Sequence, residues 1–168
     1  MKENRTKLVA YVGMLISLAF ILSYVESLIP ISLGIPGVKL GLANLVVMVA
    51  LYTLGAKYAM LLSLIRIVLV GFSFGSLASM MYALAGGILS LLVMFLFYKR
   101  TIFSVRGVSM LGGVCHNVGQ ILMAMLVVQN PLLISYFPVL LISGTVAGLG
   151  IGLLAAMIIK RVEKVYRI

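Results

Sequence analysis

Seven polar side chains stand in a sequence otherwise given over to hydrocarbon: Glu26, Lys39, Asn44, Arg66, His116, Asn117 and Gln120. Arginine offers a fixed fork of donors that matches carboxylate or phosphate, and amides and imidazole add directional hydrogen bonds. His116 and Gln120, four residues apart, share one face of a helix. The set suits holding an anionic or carbonyl-bearing ligand. It does not suit metal chemistry, because Cys115 and His116 are adjacent and on a helix point about 100° apart. The same geometry removes a Cys–His nucleophile. No phosphate loop of the G-x-x-x-x-G-K-[ST] kind occurs. There is no Asp, and the three acids, Glu3, Glu26 and Glu163, are far apart, so the chain lacks the carboxylate cluster that holds Mg²⁺ on a diphosphate. No catalytic residue, cofactor or metal is therefore expected.

The elements that must position these residues are apolar helices. Of 168 residues, 64% are hydrophobic and 10% charged, too few charges to clothe a soluble domain. Runs near the roughly 20 residues that cross hydrocarbon recur, which predicts one all-α integral membrane domain over residues 1–168. Six spans are expected, at about 8–29, 41–55, 58–73, 77–98, 108–128 and 139–159, with the second and third forming a tight hairpin. The stretch 129–138, bounded by prolines at 131 and 138, reads as an interfacial turn. The net charge of +10 would suggest nucleic acid in a soluble protein. Here 11 of the 13 basic residues fall on one side of a six-span arrangement. By the positive-inside rule that side is cytoplasmic, so both termini are expected in the cytoplasm and the chain in the cell membrane. Lys39 and Arg66 are the two exceptions.

Each polar residue also has a purely structural reading. Glu26 could pair with Arg66 or Lys39. Lys39 could snorkel to headgroups, Asn44 could cap the second helix, and His116, Asn117 and Gln120 could bind helices together. Arg66 is the hardest to explain this way, since an ionisable group at mid-membrane costs roughly 2.5–3.5 kcal/mol on insertion scales. "IPGVKLGLANLV" (35–46) breaks the helix beside Lys39 and Asn44, and irregular backbone at that depth is tolerated where it lines a cavity. Its freed N–H groups and positive helix end would favour an anion. An outward-facing pocket walled by spans two, three and five follows. Small residues four apart (Gly144, Gly148, Gly152 and Ala156; Ser79, Ala83 and Gly87) predict close helix packing. Gly13 and Ser17 on the first span are the candidates for contact with a partner helix.

"PGVKLGLANLVVMVALYTLG" (36–55), "LIRIVL" (64–69), "FGSLASMMYALAGGILS" (74–90) and "HNVGQ" (116–120) resemble the Gx transporter family, also catalogued as heptaprenyl diphosphate synthase component I. More distantly, size and span count resemble the six-helix substrate-binding (S) components of energy-coupling factor transporters. That likeness implies a small-molecule substrate entering from outside and a transmembrane energising subunit with ATPases as partner. The synthase label implies a non-catalytic membrane subunit in isoprenoid or quinone synthesis, with a soluble synthase docked on cytoplasmic loops such as 98–107. A proton-coupled carrier using Glu26 and His116 is a third reading. No nucleic-acid partner is expected.

Overall fold

The computed structural model describes residues 2–29 and 41–166. Among them the regular structure is entirely helical. Helix α1 spans Lys2–Leu28, α2 Leu42–Thr53, α3 Ala56–Ser73, α4 Leu77–Phe97 and α5 Val105–Val128; a 3-10 helix, η1, covers Pro131–Tyr136, and α6 runs Phe137–Tyr166. Five of these are long and apolar enough to cross a membrane. The exception is α2, whose 12 residues rise only about 18 Å against a hydrocarbon core of about 30 Å. The expected second span is thus shorter than the others. Its hairpin with α3 is as tight as predicted, with only Leu54 and Gly55 between them. The stretch expected to turn is η1, started by Asn130, whose side chain accepts from the Leu132 N–H at 3.0 Å.

The helices pack around a centre. Contacts run from α1 to α3, α3 to α4, α4 to α5 and α5 to α6, while α2 sits against α1, α3 and α6. Being enclosed on three sides explains why nearly every residue from Val46 to Leu51 of this short helix is buried. The remaining core is supplied by Leu15 and Ala19 of α1, Ala59 and Leu62 of α3, Leu91 and Met94 of α4, Val108 of α5, and Ala155 and Ile159 of α6. Large side chains such as Phe72, Leu126 and Ile142 are exposed. They cover the outside of the bundle as lipid-facing residues do.

Glycine sets the spacing of α4, α5 and α6. A Cβ on Gly113 would strike the Gly144 carbonyl, one on Gly148 would lie 2.7 Å from the Ser109 carbonyl oxygen, and one on Gly152 would lie 2.8 Å from the Arg106 Cα. Descending numbers on α5 meet ascending numbers on α6, so the pair is antiparallel and its backbones nearly touch. The predicted ridge is therefore an internal seam, although beyond Gly152 it continues through buried Ala155 and Ile159 and not through Ala156. On α4, Gly87 faces Ile67 of α3 and Gly86 faces His116 of α5. Gly13 and Ser17 are different. Both are exposed, and nothing lies within 4 Å of where a Gly13 Cβ would be.

Candidate functional site

The start of α2 is built by a residue of α1. Gly41 has a left-handed backbone (φ 74°) and no side chain to cap the helix. Instead the Glu26 carboxylate reaches across, Oε1 accepting from the Gly41 N–H at 2.6 Å and Oε2 from the Leu42 N–H at 3.1 Å. A carboxylate at a helix N-terminus satisfies orphan donors and meets the positive end of the dipole. This corrects the sequence reading twice. Asn44 is not the cap: it is the third helical residue, its own N–H donating to the Gly41 carbonyl at 2.8 Å. The N–H groups of Gly41 and Leu42 are not free for a ligand, because Glu26 takes them.

Arg66 lies ten residues into α3 from the hairpin turn, hence about 15 Å above it. The start of α2, eleven residues back from Thr53, is at nearly the same height, about 17 Å. Both heights are about half the thickness of a hydrocarbon layer. The Glu26 charge acts on Arg66, but the carboxylate oxygens are given to α2. The Arg66 Nε is buried and has no hydrogen-bond partner. A buried, unsatisfied guanidinium nitrogen is costly.

A cavity of about 70 Å³ lies at this level, lined by Glu26, Gly41, Asn44 and Arg66 together with Ala83 of α4 and His116, Asn117 and Gln120 of α5. Its remaining wall is α6, from Ser143 to Ile151. All six long and short α-helices thus contribute, where sequence pointed to three. Six of the seven predicted polar residues converge on it. The seventh, Lys39, lies outside the described residues, as do Pro36 and Gly37. Asn117 serves partly as helix glue, its Nδ2 donating to the Leu140 carbonyl at 2.7 Å and to Ser143 Oγ at 3.3 Å. His116 and Gln120 both press on Gly86, whose missing side chain lets them turn inward. Sequence reasoning gave Ala83 a packing role only and did not name Ser143, although Gly144 beside it was legible in the glycine ridge.

Two larger spaces adjoin the cavity. A vestibule of about 560 Å³ between α1, α3 and α4 shares Glu26, Arg66 and Ala83 with it and brings Ser23, Ser27, Ser76 and Ser79 to its walls. A groove of about 320 Å³ between α4, α5, η1 and the start of α6 shares only Gln120.

The family model for heptaprenyl diphosphate synthase component I matches residues 15–158. The chain belongs to that family. The match runs from the middle of α1 to the last turns of α6, so it takes in every helix that lines the cavity. No curated protein and no solved structure matches this component I chain.

Proposed function

We propose that this component I protein is a membrane binding component for a small anionic or amphipathic organic solute, working in transport as S components do. The observation that carries the reading is the unpartnered Arg66 Nε beside a polar cavity at mid-bundle. The Glu26 carboxylate oxygens are engaged by α2, so the Arg66 Nε–H is left as a donor for an acid from outside. Asn44, His116, Asn117 and Gln120 supply hydrogen bonds around that acid, and the vestibule is wide enough to admit it. Lys39 is the remaining candidate contact for the same acid.

The rest of the arrangement belongs to the same reading. The chain forms a single membrane domain crossing six times. Both termini lie in the cytoplasm, and the vestibule opens outward from the cell membrane. The ends where α2 turns into α3, α4 into α5 and α6 finishes carry Lys57, Lys99, Arg100, Arg106, Lys160 and Arg161, which supports that sidedness. The exposed Gly13–Ser17 face of α1 is where a transmembrane energising subunit, itself driven by ATPases, would pack.

Family membership favours a second reading. The family's description names a synthase component, which implies a protein partner, here a soluble prenyl synthase bound at the basic 98–107 loop. One experiment separates the two. Native mass spectrometry of gently solubilised wild type and Arg66→Ala, followed by extraction of bound small molecules, should find a one-to-one ligand in the first and none in the second. An empty wild type that retains a soluble synthase would sink the binding reading and leave the subunit reading standing.

A further inference from the structure

The two spaces that adjoin the Arg66 cavity differ in chemistry. The vestibule mixes four serines, Glu26 and Arg66 with Ile29, Ile67, Val70, Phe74 and Met80. The groove is lined by Ile121, Ala124, Val128, Leu133 and Leu140 with two tyrosines, and its one amide is Gln120. Ile121, Ala124 and Val128 recur at three and four residues along α5, so they form one continuous apolar strip. That strip begins at Gln120, on the cavity wall, and climbs about 12 Å to the end of the helix. The partition between the two spaces is thin. Gln120 belongs to both, and the Asn117 amide on the cavity side donates to the carbonyl of Leu140 on the groove side.

We propose that the ligand of this site is a single-chain amphiphile, its acidic head on Arg66 and its hydrocarbon chain in the groove between α4, α5 and η1. This rests on reading Arg66 as ligand-binding and adds the class of ligand. The cavity itself, about 70 Å³, has room for a few waters and hence for one small acid group, not for a whole solute. The rest of the molecule must therefore lie in an adjoining space. A hydrocarbon chain gains by leaving water for an apolar wall. It gains more in the groove, whose one amide is Gln120, than in the vestibule, where serine hydroxyls and two charges interrupt the apolar surface. The groove's 320 Å³ is at the lower end of small-molecule sites, which suits one chain. A bilayer phospholipid fits poorly, because it carries two chains and the groove has the volume for one.

Dodecyl phosphate and butyl phosphate are the probes, added at equal concentration to the protein in phosphatidylcholine nanodiscs and counted as adducts by native mass spectrometry. Arg66→Ala corrects for non-specific adhesion. Wild type should hold the dodecyl ester about tenfold or more in preference to the butyl ester, and Arg66→Ala should hold neither. Ala124→Phe fills the groove from inside, and Val128→Trp, at a position 55% exposed, obstructs its outer end without burdening the core. Either variant should bring the dodecyl-to-butyl ratio down toward one. A ratio near one in wild type, or a ratio unchanged in both groove variants, overturns the chain-binding proposal while leaving Arg66 as an acid site. If neither ester binds in an Arg66-dependent way, the underlying reading fails instead. Repeating the assay with phosphatidylglycerol in the disc checks the other source: retention of that two-chain lipid in place of dodecyl phosphate also overturns the proposal.

Discussion

Glu26 and Arg66 are charges that line the central cavity, and they have separate work. Glu26 holds α2, accepting two backbone N–H groups, so Glu26→Ala should cost about 1–2 kcal/mol, the range of a lost helix cap. Glu26→Gln keeps one carbonyl acceptor and should lose less. Thermal unfolding followed by circular dichroism orders the three proteins; an unshifted Glu26→Ala transition would show that the cap is energetically idle. Arg66 is the opposite case. Its buried Nε has no partner, so Arg66→Met should leave the transition unchanged or raise it while abolishing ligand binding, as at sites where stability is given up for function. A large loss of stability in Arg66→Met would make the arginine structural. Sequence singled out both residues, because charge in hydrocarbon is conspicuous. It could not show that Glu26 caps a helix fifteen positions away, since such a bond leaves no local pattern in residue types.

At the scale of helices, hydropathy alone located all five long segments, because about 20 apolar residues have few other uses. It overrated α2, where glycine and a polar entry cut the helix to 12 residues. The small-residue spacing was legible in the same way, but not which spacing faced inward. Gly148 and Gly150 lie two residues apart on α6 and make the point. A Cβ at Gly148 meets the Ser109 carbonyl at 2.7 Å, while one at Gly150 meets nothing within 4 Å. Gly148→Ala should therefore destabilise the α5–α6 pair by roughly 1–3 kcal/mol, as overpacking does. Gly150→Ala should be neutral or stabilising by up to about 1 kcal/mol through helix propensity. Apparent melting temperatures of the two variants, side by side in one detergent, test the register of the seam. Equal shifts would mean that α6 is rotated from the position described.

For the whole molecule the question is sidedness, and the chain offers a convenient handle in its single cysteine, Cys115. In a Cys115→Ser background, Lys57→Cys and Arg100→Cys mark the end where α2 turns into α3 and α4 into α5. Ser73→Cys and Leu132→Cys mark the opposite end. All four positions are exposed. An impermeant maleimide applied to intact cells should label only Ser73→Cys and Leu132→Cys, and should reach the other two after the membrane is opened. Labelling of one residue from each pair would break the six-crossing arrangement. The expectation of sidedness comes from basic residues, which are held to one side of a membrane. The meeting of all six α-helices at one cavity was not readable from them, because which helix neighbours which depends on three-dimensional packing that charge bias does not encode.

The carboxylate bridge from α1 to Gly41 and Leu42 also acts as a splice. It fixes the two ends of the 30–40 connection to each other, independently of what lies between them. Closing a longer loop costs little, on the order of 0.6 kcal/mol for each doubling of length. The connection can therefore accept an inserted epitope, or be cut after assembly, with α2 still seated against α1. Glu26 thus keeps α2 in register with α1 whatever the length of chain that joins them.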